Sequence, residues 1–508
     1  MTRRFAAALL GLIGTLAANS QQPSAEVVQA LRPYAEFRAY TLQSWHPGGR
    51  EVLVTRREAP DLHRVDSPGA APKPVAVEGR VLAAAFQPAN GDSFVYLAEG
   101  NDGSRRLYRH DAAGASTAVS PADEQAMEFT WSPAGDRIAY ATVSEHPGSA
   151  LRRRTILRIV DPANPSSARL LGRLEGRWKE MRFAPDGKRL ALTQEVSPTQ
   201  SHLWLTDVAT ATRRRVTRPA GKNSGSFSSP AFSGDGRSLF ALSDRGSEYR
   251  RLVMIPVGGG AARPLTRHLD YDVDAYAVSH DAGLLAFLSN EGGSHVMRFI
   301  DLVTLKEQPR PALLDGVIGG LAWKPGSREI GFHVSSARTA GDVFSYDARA
   351  NQVTRWTNGN AQGVNIREFA EPRRIKWKGA EGREITGLLY APPARFTGKR
   401  PVIVDHRGGV GSQWRTGFLG RANYLVGELG MAIIRPNVRG SSGFGKAFAS
   451  LPAEDGYKDI ASLIAWIGEQ PSLDESRTLV VGSGEAGQPD EDGFMAAAID
   501  FARRTRAP

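Results

Sequence analysis

The sequence predicts a mainly β protein, with a seven-bladed β-propeller over residues 21–371 and an α/β domain over 372–508. Three observations carry this. A turn motif recurs about every 40 to 50 residues through the first part of the chain, a period suited to propeller blades. Beyond Pro372 the rhythm changes to alternating strands and helices. The chain has 508 residues, 41% of them hydrophobic and 23% charged, which is enough for more than one core in an ordinary globular composition.

Each copy of the motif is an aromatic or apolar residue, a short turn rich in Pro, Asp and Gly, and then an apolar strand. The copies begin at Trp45, Phe86, Trp131, Phe183, Phe232, Val278 and Trp323. Pro and Gly punctuate the turn, so each copy reads as a β-hairpin. A further strand ending in Asp usually follows, as at Asp161, Asp207, Asp301 and Asp347. One blade cannot bury both faces of its sheet, and stacking blades about an axis solves that problem. The regular order within each repeat favours this arrangement over an array of unrelated β-sandwiches.

In the second part, residues 385–390, 402–405, 431–435 and 478–481 read as strands. Residues 423–430 and 459–469 read as helices, with one more at 494–504. Such alternation implies a largely parallel sheet.

The N-terminus reads as a secretory signal over 1–20. Arg3 and Arg4 form its basic start, 5–17 its apolar stretch, and Ala18-Asn19-Ser20 a small-x-small cleavage site. This predicts a periplasmic or secreted protein, a retained N-terminal anchor being the alternative. No later run is apolar enough to span a bilayer. The chain has no cysteine, which excludes disulfides, thiolate metal sites and a cysteine nucleophile. There is no His-Glu-x-x-His and no Walker-type loop, so no metal or other cofactor is expected. The formal charge is +11, with arginine clusters at 152–154 and 213–215. Without a nucleic-acid motif beside them, these read as solvated propeller loops rather than a nucleic-acid surface.

The segments KRPVIVDHRGGVGSQ (399–413), MAIIRPNVRGSSGFGKAF (431–448) and DIASLIAWIGEQPSLDESR (459–477) resemble the prolyl oligopeptidase and acylaminoacyl-peptidase family. So do 232–252 and 271–293 in the propeller. The resemblance implies a propeller covering an α/β-hydrolase domain, with a site between them that hydrolyses peptide bonds in short peptides. Serine, aspartate and histidine would follow in that chain order. It places Arg407, Gly408 and Gly409 in the oxyanion region, and Asn437, Arg439, Gly440 and Ser441 in the family's Arg-Gly-Ser loop.

The nucleophile elbow is expected after strand 478–481, where the chain reads Val481-Gly482-Ser483-Gly484-Glu485-Ala486-Gly487. A gapless match puts Gly484 at the nucleophile position. Matching 493–495 to the family's later Gly-Tyr-Met puts Asp490 there instead. Neither alignment places a serine at the tip. Ser483 and His406 are the nearby residues with suitable chemistry, and Asp405 precedes His406 on a strand, where adjacent side chains point to opposite faces. His406 is the only histidine after residue 333, and it precedes the elbow.

The expectation is therefore a truncated hydrolase domain, an incomplete triad and lost catalysis, leaving a propeller module that binds peptides or a protein partner. The alternative is an active serine exopeptidase or oligopeptidase using a non-standard site or a partner chain. Strand 478–481 would form a sheet edge, completed by a homodimer or a separate chain. The propeller funnel and the acidic run 270–274 are candidate contact surfaces. The acidic residues 490–492 read as a solvated loop rather than a cation site.

Overall fold

A computed structural model describes residues 25–49, 51–59, 61–144, 154–218, 225–281, 283–361, 363–406, 411–482 and 491–505. Segment 1–20, read from the sequence as a secretory signal, lies outside the described residues.

Seven antiparallel four-stranded sheets follow one another along the chain: β1–β4 (40–74), β5–β8 (80–118), β9–β12 (125–175), β13–β16 (177–215), β17–β20 (227–264), β21–β24 (273–308) and β25–β28 (316–355). They are blades 1 to 7 of the propeller. Each motif copy begins on the last residue of a blade's first strand, from Trp45 closing β1 to Trp323 closing β25. The period in the sequence is thus the hairpin between first and second strands.

The aromatic at that position binds the neighbouring blade. The indole N–H groups of Trp45, Trp131 and Trp323 donate to the carbonyls of Ala322, Ala85 and Ala277, at 2.9, 3.1 and 3.0 Å. The recurrent Asp also has a local cause. Asp207 Oδ1 accepts the N–H groups of Ala209 and Thr210, and Asp301 and Asp347 do the same two and three residues on. Each such Asx turn reverses the chain from third to fourth strand.

The 213–215 cluster is not a solvated loop. It forms the outermost strand β16, and its arginines reach both neighbouring blades. Arg213 Nη1 donates to Leu171 O at 2.9 Å and Arg214 Nη2 to Val257 O at 2.5 Å. Charged donors satisfy carbonyls that an outer sheet edge would leave to water. Of the other cluster, Arg152 and Arg153 lie outside the described residues. The ring closes where blade 1 meets blade 7, by side chains rather than a shared sheet. Trp45 packs edge-on to Trp356 with centroids 5.1 Å apart, among buried Tyr40, Leu42, Val52 and Val343.

The α/β domain is one five-stranded sheet of order β29-β30-β32-β31-β33. Its strands are β29 (Arg373–Lys378), β30 (Glu384–Tyr390), β31 (Arg400–His406), β32 (Ala432–Asn437) and β33 (Leu473–Gly482). The sheet is mixed rather than largely parallel: β31 runs parallel to β32 and β33, while β29, β30 and β32 pair antiparallel. The short connection between β29 and β30 makes a hairpin, for which no helical crossover is available. Among the described residues β33 has one neighbour, which makes it the expected edge, and Val480 on it is 37% exposed.

Five helices cover the sheet: α1 (Ala25–Ala35), α2 (Ala422–Gly427), α3 (Lys446–Ala449), α4 (Gly456–Glu469) and α5 (Glu491–Thr505). On one face α4 buries Ile460, Leu463 and Ile467, spaced three and four apart, against Ile385, Val402, Val404 and Ile434. Each such side chain stabilises by about 1.5–3 kcal/mol. On the other face α2 and α5 bury Leu425, Phe494 and Ala498 against Ile403 and Ile433.

The propeller boundary at residue 21 needs a correction, because α1 packs on this second face. Leu31 joins its core beside Leu388 and Tyr390. Tyr34, on the same helical stripe, meets the Tyr424 ring at 5.7 Å and donates to Glu428 at 2.8 Å. The chain then crosses into blade 1 and returns from blade 7, and the two crossings touch: Arg38 N–H donates to Gly359 O at 2.7 Å.

Candidate functional site

Ligands of open α/β sheets bind beyond the carboxyl ends of the parallel strands. Here those ends are His406 on β31, Asn437 on β32 and Gly482 on β33. His406 and Gly482 are register partners. A Cβ at residue 482 would lie 3.3 Å from His406 O and 3.5 Å from its Cδ2, so glycine lets the two ends close up. The His406 Nδ1 is buried without a protein partner among the described residues. Burial lowers the pKa of this imidazole, against the pull of the Asp405 and Asp459 carboxylates, and keeps it neutral at pH 7.

Asp405 serves the other face. It is fully buried and accepts from Arg435 Nε at 3.1 Å. The Arg435 guanidinium lies 4.3 Å from the centre of the Trp414 ring. Asp405 therefore does not orient His406, as strand alternation requires. Ser483, Gly484, Asp490, Arg407, Gly408 and Gly409 lie outside the described residues. Glu491 and Asp492 open α5 and pair with Arg421 at 3.1 and 2.6 Å, so they are not a solvated loop.

The loop 437–441 positions its neighbours. Asn437 Oδ1 accepts the Trp414 N–H at 2.7 Å. Gly440, at φ 85°, accepts the Gly411 N–H through its carbonyl at 3.1 Å. A residue with a side chain is strained at that φ. Arg439 is buried and forks onto Asp459 of α4, Nε to Oδ2 at 3.0 Å and Nη2 to Oδ1 at 2.8 Å. Its backbone N–H donates to the same carboxylate at 3.1 Å. The Ser441 N–H closes a turn onto Val438 O at 3.1 Å. The loop is thus fixed to α4 and holds the segment that follows residues 407–410.

That segment, 411–418, is docked on the propeller. Arg415 Nη2 donates to Asp274 Oδ2 at 2.6 Å, and His295 Nε2 shares the same oxygen at 2.9 Å. Arg250 pairs with the other oxygen. Burial alone would raise the Asp274 pKa, but the His295 hydrogen bond and the two guanidinium charges hold this carboxyl far below the usual range. Asp272 Oδ1 accepts the Arg250 N–H at 2.6 Å. Within the acidic run 270–274, Asp274 thus belongs to the contact between domains and Asp272 is tied inside the propeller, while Asp270 and Tyr271 are exposed. Gln413 accepts from Asn290 at 2.7 Å, and the Phe418 N–H donates to Ser335 Oγ at 3.2 Å.

Beside these contacts a cavity of about 530 Å³ opens between blades 1 and 7 and the α/β domain. Phe37, Phe418, Phe494 and Met495 give it apolar walls, and Arg57 and Arg435 give it cations. Its lining comes from both domains, including the start of the helix after β33.

No protein-family model matches the chain, and no curated protein matches it. Solved structures do. A puromycin hydrolase superposes with a TM-score of 0.72 at 19% identity, covering 89% of this chain and 75% of that one. A prolyl endopeptidase gives 0.73 at 13% identity, covering 98% and 74%. The acylaminoacyl peptidase of Pyrococcus horikoshii gives 0.67 at 14% identity, covering 89% and 74%. The chain has the prolyl oligopeptidase fold.

Within this prolyl oligopeptidase fold, the sequence located the strand ends and the 437–441 loop. It missed the cavity, whose walls come from segments far apart in the chain. It also missed the docking of 411–418, because Asn290, His295 and Arg415 carry no local pattern that marks them as partners.

Proposed function

We propose that this chain binds short peptides in the cleft between its propeller and its α/β domain, as a prolyl oligopeptidase-type homologue without a working Ser-Asp-His triad. The observation that carries the reading is the cavity itself, roomy enough for a few residues of peptide and lined by both domains, with Arg435 of β32 in its wall. The neighbouring folds are described as a prolyl endopeptidase and an acylaminoacyl peptidase, which makes a peptide the natural occupant. Two features argue against catalysis. The sequence matches Gly484 to the nucleophile position, and Asp405 is engaged by Arg435 away from His406. The leader over 1–20 supports export to the periplasm or beyond.

The test is a fluorophosphonate probe applied to the chain and to Ser483→Ala, with calorimetric titration of short peptides. Peptide binding without labelling is expected. Labelling that vanishes in Ser483→Ala would establish an active nucleophile. That outcome is the second reading, an active hydrolase, which the neutral His406 imidazole against Gly482 favours.

A further inference from the structure

Five charged side chains line the cleft: Arg57, Glu58, Arg421, Arg435 and Glu491. Four are engaged within the protein. Arg421 holds Glu491 at 3.1 Å and Arg435 holds Asp405 at 3.1 Å. The Glu58 carboxylate accepts the Ala39 N–H at 3.1 and 3.2 Å. Arg57 differs. Its backbone N–H is fixed to Ala39 O at 2.8 Å, yet its guanidinium has no carboxylate partner among the described residues. His333, which feels the Arg57 charge, stays neutral at pH 7, its pKa driven down to about 4 by burial first and by that charge second. The cleft therefore presents one guanidinium that no carboxylate holds, next to the Glu58 carboxylate and against walls made by Phe37, Phe418, Phe494 and Met495.

An exposed arginine on a convex surface would simply be solvated. Arg57 is also exposed, but it lines a concavity beside apolar walls, where screening is weaker than on an open surface. A guanidinium offers a planar fork of donors that matches a carboxylate in two-point contact. We propose that Arg57 is a specificity residue that reads a carboxylate of the bound peptide, while the aromatic wall takes an apolar side chain. This rests on the peptide reading above. The carboxylate comes from one of two sources, the peptide's C-terminus or an acidic side chain.

The test uses the full chain and three N-acetylated tetrapeptides of one apolar sequence: a free acid, its C-terminal amide, and an amide carrying one glutamate. Calorimetry should show at least one of the acidic peptides binding about tenfold or more tightly than the neutral amide, the gain expected of a charged hydrogen bond. The acidic peptide that shows the gain identifies the source. Arg57→Gln should bring all three to the affinity of the neutral amide, and Arg57→Lys should keep part of the preference. Among the described residues the Arg57 side chain makes no hydrogen bond or ion pair, so the variants should fold as the parent does. Equal binding of the three peptides, or a preference that survives in Arg57→Gln, overturns the inference and leaves the peptide reading intact. Failure of every peptide to bind overturns both.

Discussion

Arg415 of the α/β domain and Asp274 of blade 6 meet across the domain boundary, Nη2 to Oδ2 at 2.6 Å. The pair is anchored on the propeller side, because Asp274 is 12% exposed and also holds His295 and Arg250. Arg415→Ala leaves the carboxylate with two partners, so it costs a charged hydrogen bond and not a buried orphan, about 1.5–3 kcal/mol. Thermal unfolding should fall accordingly, with faster proteolysis between the domains. The pH dependence follows from the depressed Asp274 pKa. Its stabilisation is fully present above the unfolded carboxyl value and is lost only as pH falls through the lower folded value. Arg415→Ala should move that acid loss to higher pH in a melting-temperature series.

His333 gives a second acid effect in a milder window. Its ring fills the space above Gly319 and Gly320, where an added Cβ would sit 2.6 and 2.7 Å from ring atoms, and its Nδ1 has no partner among the described residues. Its pKa is lowered to about 4, chiefly by burial. A histidine kept neutral by folding adds stability above about pH 6.5, and this is lost as pH falls from there through 4, by about 3 kcal/mol. His333→Phe should flatten the stability curve across that window.

Trp45 joins blade 1 to blade 7 through its indole N–H. Trp45→Phe keeps most of the ring but leaves the Ala322 carbonyl without its donor. The expected loss is about 1–2 kcal/mol. Trp131→Phe and Trp323→Phe make the same deletion at other blade boundaries and should each cost a similar amount. The Trp131 site is remote from the other two, so its loss should add to either in denaturant titrations, whereas Trp45 bonds the residue beside Trp323 and that pair should show coupling.

Arg439→Met tests whether the Arg-Gly-Ser loop is structural. It would leave the fully buried Asp459 carboxylate without its guanidinium. Removing one partner of a buried pair costs about 3–5 kcal/mol. The double variant with Asp459→Leu should recover part of that loss, measured by chemical denaturation.

The propeller was legible because its repeat is made of local chemistry. Trp45, Trp131 and Trp323 stand at fixed offsets from Pro-Gly turns, and Asp207 and Asp301 cap turns within three residues of themselves. The α/β strands were legible for a similar reason, as short apolar runs such as 402–405. What stayed hidden depends on partners distant in sequence. Leu31 sits in a short N-terminal helix whose core mates are more than 350 residues away. Arg213, Arg214 and Asp274 look like surface charges until the next blade or the other domain supplies their partners. Arg439 was singled out by its motif, but only its fork onto Asp459 shows that it holds the loop rather than faces a ligand.

The two crossings between domains run side by side, tied from Arg38 to Gly359. A body attached at one rim by two adjacent tethers moves as a lever, and its displacement grows with distance from the pivot. Small rotations there barely disturb blades 1 and 7. At Ala447 and Glu248, joined at 2.7 Å on blade 5, the same rotation is amplified. Two tethers at one rim keep the effective concentration of each half of the cleft for the other high.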